Sequence, residues 1–471
     1  MTATISPSSR ADELELVLES LTKTFVEYVR VADSPSGTIG SSADPKALAT
    51  SVNISIPEEG QGIEGLLKNV DTVLDNSVVT WHNGFLDKLY ASNNSVGVAG
   101  DLLLSMLNTN VHVFTVSPAL TLIEKRTGHE YAKLFGFTGS RSGGLTFPGG
   151  SYSNIHSLHI ARSILFPDTK TEGNGNHKFA VYASNHCHYS VEKAAILCGL
   201  GSRSLFKVNT RPDGTMDTDH LEQLIQKTIQ DGYTPLYING TAGTTVYGSF
   251  DDFNAIADIS EKYKTWFHID GSWGGNVIFS SKQNYKLKGS HRANSITVNP
   301  HKMLGVPCTC SFLLVPDEAT FQQANSLQAP YLFHNSHDGD DNFDLADGTM
   351  GCGRRSDALK MYLAWNWYGT KGFGERIDHS FSVTEYLARK VHESDKFTLI
   401  SDLPPPCLQT CFYFNHPSTQ FKSISEKAEE NSNHTRQIVS QLFKRGKFLV
   451  DYSPHSSGTG EFFRVVVNSP K

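Results

Sequence analysis

Residues 266–275 read WFHIDGSWGG, an apolar run that ends in an acidic residue and is followed by small residues. Short apolar runs of this kind, bounded by glycine, indicate strands buried inside a sheet. Comparable runs occur at 179–183, 235–239, 295–299 and 312–315, with helical or loop-like stretches between them. Alternation of short buried strands with longer amphipathic segments predicts an α/β domain with a largely parallel sheet.

The flanking regions have a different texture. Residues 12–30 carry apolar side chains at helical spacing and predict an amphipathic helix, whereas residues 33–62 are rich in Ser, Gly and Pro and predict a connecting loop. Beyond about residue 355 the pattern predicts a long helix (356 to about 368), hairpin-like strands and a helix near 423–444. We therefore expect three regions: an N-terminal helical or dimerisation segment (1–75), a large domain (76–352) and a small C-terminal domain (353–471).

Composition excludes several classes of protein. The 471 residues include 38% hydrophobic residues and 39 glycines, typical of a folded globular protein. The net charge of −7 gives no electrostatic footprint for nucleic acid. Seven scattered cysteines fit a reducing compartment, and Cys308 and Cys310 are expected in a strand. The N-terminus lacks the pattern of a signal peptide and no apolar run could cross a membrane, so we expect a cytoplasmic protein without a membrane partner, although organelle import by other routes stays open.

Candidate chemistry lies where the predicted strands end, because ligands of parallel sheets bind at the carboxyl ends of strands. Asp270 ends the run at 266–270, and Lys302 follows the run at 295–299 after Pro300. A lysine at a buried edge has a lowered pKa, which favours the neutral amine that forms a Schiff base. Taken singly, Asp270 also fits a turn or helix cap, and Lys302 also fits a solvated loop lysine.

Three further motifs follow other strands. Gly150 and Ser151 open a predicted helix, which suits a phosphate but also fits an ordinary helix start. His188 lies beside Cys187, where adjacent positions are poorly suited to a shared metal, so no metal site is predicted. Thr245 lies in a Gly-Thr-Thr loop whose alternative is a plain turn. Together these residues supply a phosphate cradle, a stacking ring, a carboxylate and an amine, the set that pyridoxal phosphate needs.

The ordered motifs resemble those of the group II pyridoxal-phosphate-dependent decarboxylases, in the branch that acts on glutamate, aspartate and cysteine sulfinate. The resemblance runs from about residue 75 to the end and rests on Phe147–Asn154, His188–Lys193, Gly243–Thr245, His268–Gly275, Asn299–Gly305, Cys352–Arg354 and Phe462–Arg464. It implies a fold type I, PLP-dependent transferase-like large domain with a mostly parallel seven-stranded sheet, an N-terminal helical segment and a small α+β C-terminal domain.

The resemblance also implies roles for individual residues. Lys302 would form the Schiff base, Asp270 would hold the pyridine nitrogen, and His188 would stack on the ring. Pyridoxal 5'-phosphate would be bound by Gly150, Ser151, Asn154, His188, Thr245, Asp270, Ser272, Asn299, His301 and Lys302. The implied reaction is α-decarboxylation through a Lys302 aldimine and a quinonoid intermediate, in a homodimer with active sites at the interface.

Substrate selection is predicted from three cations. Arg464 matches the arginine that binds the distal carboxylate in the acidic-substrate branch, although a structural arginine is the alternative. Lys88 replaces the usual glutamine and His112 replaces a common aromatic residue, and both add positive or switchable charge. We therefore expect a small acidic amino acid as substrate, with aspartate (giving β-alanine) favoured over glutamate and cysteine sulfinate.

One departure from the family pattern opens an alternative. Phe343 stands where the mobile catalytic loop usually carries a tyrosine that returns a proton to the substrate, and phenylalanine cannot donate one. Relatives with phenylalanine there form aldehydes, so an aldehyde synthase, or a carbon–carbon bond-forming enzyme, is the second hypothesis. His112, His334 or His337 could instead supply the proton. A non-catalytic binding protein is disfavoured because Lys302, Asp270 and His188 are all retained.

Overall fold

The structure is a computed structural model that describes residues 9–40, 44–327, 343–416 and 424–468, except for the side chains of 424 and 425. Two compact units are present. The central unit comprises residues 93–412 and 466–471, and the terminal unit comprises residues 1–92 and 413–465. These boundaries differ from the predicted ones at 75/76 and 352/353, and the three-region division stays a prediction.

Strands and helices are numbered in chain order. The strands are β1 (Phe85–Leu86), β2 (Gly143–Phe147), β3 (Phe179–Ser184), β4 (Leu205–Val208), β5 (Thr234–Thr241), β6 (Trp266–Gly271), β7 (Ser295–Val298), β8 (Ser311–Val315), β9 (Phe397–Leu399), β10 (Gln409–Phe414), β11 (Leu449–Pro454) and β12 (Glu461–Val466). The helices are α1 (Arg10–Asp33), α2 (Pro45–Ser51), α3 (Gly62–Asp75), α4 (Ser95–Leu107), α5 (Pro118–Leu134), α6 (Gly150–Leu165), α7 (Thr169–Glu172), α8 (Ser190–Leu197), α9 (Thr218–Gln230), α10 (Phe253–Tyr263), α11 (Ala319–Asn325), α12 (Ala358–His392) and α13 (Ile424–Lys444).

A seven-stranded sheet in the order β2-β8-β7-β6-β5-β3-β4 organises the central unit. Neighbouring strands from β7 through β4 pair in parallel, whereas β8 runs antiparallel to both β2 and β7. The predicted mostly parallel seven-stranded sheet is therefore confirmed. The five apolar runs singled out in the sequence form β3, β5, β6, β7 and β8.

Burial explains why these strands are continuously apolar. Every residue of β3, β6, β7 and β8 is buried. Helix α6 packs against β2 and against β5 to β8, while α10 packs on β5 and β6. A parallel sheet covered by helices has no solvent-facing side, so its strands lack the alternation of an exposed sheet. The rigid layer that results carries the loops at its carboxyl edge.

In the terminal unit, β1 pairs in parallel with β11, and β11 pairs antiparallel with β12. Phe85 lies opposite Leu449, and Tyr452 lies opposite Phe463. Helix α13 packs on β11, and α1 packs on α3. The predicted N-terminal helix is confirmed as α1, which begins after Ser9, whose side chain accepts the Asp12 N–H.

Two local predictions are wrong, and one helix boundary is confirmed. The predicted loop at 33–62 contains α2, because Asp44 caps two amides and Pro45 occupies the first turn. Cys308 and Cys310 lie before β8 and not in a strand, since Pro307 interrupts the chain ahead of Ser311. The predicted helix from 356 to about 368 corresponds to the first of two helical segments in α12, which are separated by a break at Gly369 (φ 68°).

None of the helices in the described part of the chain combines the length and apolar character needed to cross a membrane.

Candidate active site

A cavity of about 310 Å³ lies in the central unit, at the carboxyl edge of the large sheet. The loops after β2, β3, β5, β6 and β7 all contribute to its wall. Among the residues predicted from sequence, those that line it are Gly150, Ser151, His188, Thr245, Asp270, Ser272, Asn299, His301 and Lys302. The structure therefore brings together residues that are as far as 152 positions apart in the chain.

Lys302 is placed by the turn that follows β7. Its backbone N–H donates to Asn299 O (3.0 Å), and its carbonyl oxygen accepts from Asn468 Nδ2 (3.2 Å). Burial lowers the pKa of Lys302, although the nearby Asp270 acts in the opposite direction. A lowered pKa increases the fraction of neutral amine, which is the nucleophilic form.

Asp270 lies near the end of β6 and is buried. Its carboxylate accepts the Ser272 N–H at Oδ1 (3.1 Å) and Asn154 Nδ2 at Oδ2 (2.9 Å). Burial acts to raise the pKa of Asp270, but His188, the Ser272 hydrogen bond and Lys302 outweigh it, and the pKa is lowered. The carboxylate is therefore ionised at neutral pH and can accept a hydrogen bond from a protonated ring nitrogen.

His188 follows β3 and contacts the first residue of α8. Its Nδ1 lies 2.8 Å from Ser190 Oγ and accepts the Ser190 N–H at 3.2 Å. Burial lowers the pKa of His188; Asp270 opposes this effect, while Lys302 and Lys193 add to it. The imidazole at the cavity wall is therefore neutral at pH 7.

Helix α6 begins at the cavity. Gly149 has φ 116°, and a Cβ at Gly150 would lie 2.4 Å from Ser272 Oγ and 2.7 Å from Asn299 Nδ2. The first amides of a helix have no partner within it, so they provide donors for an anion at the positive end of the helix dipole. The glycines thus leave room for a phosphate at this helix start.

The arrangement fits pyridoxal phosphate on two observations of this structure. The space beside Gly150 is one that a single Cβ would fill. Asn299 Oδ1 is buried and has no hydrogen-bond partner among the described residues, which marks a place for a polar ligand or water. Within the described residues, no group of three or more His, Cys, Asp or Glu side chains could hold a metal ion.

Two predicted cofactor residues form hydrogen bonds to other protein groups, and only one of them lines the cavity. Asn154 does not line the cavity; it is buried behind it and donates to the Asp270 carboxylate. His301 lines the cavity, and its Nδ1 accepts the Cys310 N–H (3.1 Å). Burial lowers the pKa of His301 to about 4, so this ring is neutral at pH 7.

Arg464 and Lys88 lie in the terminal unit. Arg464 Nη2 donates to Asp451 Oδ2 (2.5 Å) and to the backbone carbonyl oxygen of Asp87 (2.9 Å). Lys88 Nζ lies 3.2 Å from the side-chain carboxylates of both Asp87 and Asp451. Burial acts to lower the pKa of Lys88, but Asp87 and Asp451 outweigh it and raise the pKa. Both predicted substrate cations therefore share the Asp451 carboxylate, and their predicted role stays a prediction.

His112 and Phe343 do not line the cavity around Lys302. Phe343 lines a separate cavity of about 430 Å³, where its ring centroid is 5.5 Å from that of Phe114 and 5.5 Å from Lys125 Nζ. His112 is half-buried, with Nδ1 3.1 Å from Asn110 O. His334 and His337 lie outside the described residues.

The sequence profile described as the pyridoxal-dependent decarboxylase conserved domain matches residues 45–414. The chain belongs to the pyridoxal-dependent decarboxylase family. It is accordingly a carboxy-lyase with pyridoxal phosphate as cofactor, and the predicted membership of group II is confirmed.

Relatives match this decarboxylase over almost its whole length. The L-aspartate decarboxylase dtxS4 of Metarhizium robertsii is 44% identical, covering 98% of this chain and 94% of the relative. The acidic amino acid decarboxylase GADL1 of Xenopus tropicalis is 36% identical, covering 91% and 83%. The crystal structure of mouse CSAD superimposes with a TM-score of 0.92 at 30% identity, covering 98% and 96%. The predicted fold type I architecture is confirmed by this likeness.

Several cavity residues of the decarboxylase were not predicted. Thr241 ends β5 at the same edge as the predicted residues, and Tyr152, Tyr189 and Trp273 flank the glycine, histidine and aspartate motifs. The rule that ligands bind at strand ends identifies Thr241. The aromatic residues give no such signal, because a ring next to a motif is equally consistent with packing.

Proposed function

We propose that this decarboxylase removes the α-carboxylate of a small acidic L-amino acid, with L-aspartate as substrate and β-alanine and CO₂ as products. The observation that carries the proposal is the single cavity in which Lys302, an ionised Asp270 and a neutral His188 meet at a helix start. The choice of an acidic substrate is supported by the relatives named L-aspartate decarboxylase and acidic amino acid decarboxylase.

The roles follow from the chemistry of each side chain. When bound, pyridoxal phosphate accepts the electron pair that remains on Cα as CO₂ leaves. Lys302 supplies the amine that holds the cofactor, and Asp270 holds a proton on the ring nitrogen. The amides at the start of α6, with Asn299, anchor the phosphate. His188 would stack on the ring and orient the carboxylate that is lost.

Selection of the distal carboxylate is assigned to Arg464, Lys88 and His112 on the family resemblance. A planar guanidinium suits bidentate binding of a carboxylate. The same resemblance leads us to propose a homodimer with active sites at the interface, in the cytoplasm. Size-exclusion chromatography with light scattering tests the dimer, and imaging of a tagged chain tests the location.

Product analysis by mass spectrometry tests the proposal. The purified protein with pyridoxal phosphate is incubated in air with L-aspartate, L-glutamate or L-cysteine sulfinate. We expect β-alanine from aspartate, no product with Lys302→Ala, and normal product with Lys282→Ala, an exposed lysine that pairs with Asp378. An amine from glutamate or cysteine sulfinate alone would refute the choice of aspartate, and no CO₂ from all three would refute the substrate class.

Phe343 favours a second candidate, a decarboxylating aldehyde synthase. In that reaction the amino acid, O₂ and water would yield the aldehyde, CO₂, ammonia and hydrogen peroxide. The same incubations distinguish the two candidates, because peroxide in step with CO₂ identifies the synthase. If the synthase is correct, Phe343→Tyr shifts the product towards the amine, since tyrosine can donate the proton that phenylalanine lacks.

A further inference from the structure

A continuous row of buried hydrogen bonds runs behind the cofactor cavity, from β6 to His188. Apart from His188, every side chain in it is at most 5% exposed. Its members are Trp266, Ser295, His268, Asn154, Asp270, Ser190 and His188. Ser190 and His268 have no role in the function proposed above.

Asp270 fixes the orientation of the Asn154 amide. An ionised carboxylate can only accept, so the Asn154 atom 2.9 Å from Asp270 Oδ2 is Nδ2. The second hydrogen of Nδ2 is donated to Ser190 Oγ (3.0 Å). Asn154 Oδ1 therefore faces His268 and accepts from its Nε2 (3.1 Å).

The orientation of Asn154 also determines which ring nitrogen of His268 donates and which accepts. Burial lowers the pKa of His268 to about 4, so its ring carries one proton at pH 7, and that proton lies on Nε2. Nδ1 then accepts from Ser295 Oγ (2.8 Å). Ser295 Oγ in turn accepts from the indole N–H of Trp266 (2.8 Å), a group that can only donate.

Ser190 connects Asn154 to His188 and donates two hydrogen bonds to the His188 ring. The Ser190 backbone N–H lies 3.2 Å from His188 Nδ1 and can only donate, so Nδ1 carries no proton. Ser190 Oγ accepts from Asn154 and donates its own hydrogen to the same Nδ1 (2.8 Å). The neutral ring therefore has its proton on Nε2.

We propose that Ser190, Asn154 and His268 are positioning residues that hold His188 as the neutral Nε2–H tautomer. His188 then acts in the cavity as a hydrogen-bond donor to the substrate carboxylate and not as a base. This inference rests on the proposed function only in taking His188 to contact the substrate.

Nitrogen NMR of the whole protein tests the tautomer without substrate. The protein is labelled with ¹⁵N in the histidine rings, recorded at pH 7 with and without pyridoxal phosphate, and the His188 signals are identified by their loss in His188→Asn. The expected spectrum shows an unprotonated Nδ1 and a protonated Nε2. A protonated Nδ1 would overturn the proposal, whatever substrate the enzyme uses.

Two variants test the residues that set the tautomer. Asn154→Asp replaces an amide that donates to both Asp270 and Ser190 with a carboxyl group, which holds at most one hydrogen. Because that hydrogen would be shared with the Asp270 carboxylate, Ser190 loses its donor, and the His188 signals should move towards the average of the two tautomers. Ser190→Ala removes one hydroxyl but keeps the backbone donor, so a smaller shift in the same direction is expected. Should Asn154→Asp fail to fold, Ser190→Ala still decides, since it removes only one buried oxygen.

Ser153→Ala is the matched control. Ser153 is also buried in α6, next to Asn154, but its hydroxyl bonds Ser311 Oγ (2.7 Å) outside the row. It should leave the His188 signals unchanged. If Asn154→Asp and Ser190→Ala both give the spectrum of this control, the row does not set the tautomer and the proposal fails.

A kinetic measurement tests the consequence for the substrate. Loss of a hydrogen bond to a charged group should lower kcat of Asn154→Asp about 10- to 100-fold, with a smaller change in KM. His268→Phe, which cannot donate to Asn154, should change kcat in the same direction by less. A normal kcat in Asn154→Asp together with an altered tautomer would overturn the donor role of His188.

Discussion

At Asp270, neighbouring groups reverse the effect of burial. A buried carboxyl group ordinarily has a raised pKa. Here the nearby His188, the N–H of Ser272 and Lys302 together lower the pKa and favour the ionised form. The charge of this carboxylate is thus a property of the site as a whole, and each neighbour would contribute to the proposed binding of the ring nitrogen.

Asp270→Asn should lower kcat by about 10- to 100-fold, because a hydrogen bond to a charged group is replaced by one to a neutral amide. The visible spectrum of the bound cofactor should change, because the ring nitrogen loses its proton. Asp252→Asn is the control: Asp252 is the exposed cap of α10, and Asn caps a helix equally well. Equal losses in the two variants would contradict the assigned role.

Sequence reasoning identified the residues in contact with the cavity better than those behind it. His268 lies two residues before Asp270 in β6, and this period of two places both side chains on one face of the strand. That signal was available from the sequence. Its partner Asn154 comes from α6, and no local pattern tells which distant helix meets a given strand.

At the scale of elements, the close approach of α6 to β6 and β7 depends on Gly150. A methyl group there would meet Ser272 and Asn299 at distances below van der Waals contact. The side chain of residue 150 would also occupy the space in front of the helix amides. The proposed phosphate site is therefore defined by the absence of a side chain.

Gly150→Ala should weaken pyridoxal phosphate binding by about 1–3 kcal/mol, roughly 5- to 150-fold in Kd, because overpacking displaces Asn299 or Ser272. Fluorescence titration of the cofactor-free protein measures this. Gly372→Ala in α12 is the matched control, since its nearest contact would be an ordinary 3.5 Å. Gly372→Ala should keep the wild-type Kd. An equal loss of affinity in Gly372→Ala would contradict a specific role of Gly150, because replacing any helix glycine would then weaken binding.

The elements missed from sequence have a physical explanation. Strand β2 begins with Gly143 and Gly144, and glycines weaken the strand pattern. Side chains there would clash, because a Cβ on Gly143 would lie 2.1 Å from Glu318 Oε1 and a Cβ on Gly144 would lie 2.5 Å from Leu313 O. Strand β4 is partly exposed and contains Lys207, so its apolar run is too short to recognise. The five recognised strands combine burial with runs of apolar side chains, which β2 lacks at its glycines and β4 lacks at Lys207.

Across the whole molecule, buried neutral histidines link stability to pH. Burial lowers the pKa of His156 to about 3, and those of His268 and His301 to about 4. Below about pH 6.5 these histidines bind protons in the unfolded chain, whereas in the folded protein they stay neutral. The free energy of unfolding therefore falls as pH drops from 6.5 towards 4. Asp251, whose pKa burial raises to about 6, acts in the opposite direction.

His156→Phe should remove the contribution of one of these histidines to the pH dependence of stability. His156 is fully buried against Phe147 and Phe321, away from the cofactor cavity. We expect the loss of unfolding free energy between pH 7 and pH 5 to be smaller by about 2 kcal/mol in the variant. Urea unfolding of the wild type and the variant at both pH values measures this change. The effect of the substitution on packing is the same at both pH values and therefore cancels. An unchanged difference would contradict the linkage.

The pairing of β1 with β11 has a consequence for synthesis of the chain. Phe85 lies opposite Leu449, so its partner is translated 364 residues later. At about 5–20 residues per second, this is a delay of roughly 20–70 s. Residues 93–412 of the central unit emerge from the ribosome in that interval, while β1 has no partner strand. A nascent chain released early would therefore carry the large sheet but not the partner of β1.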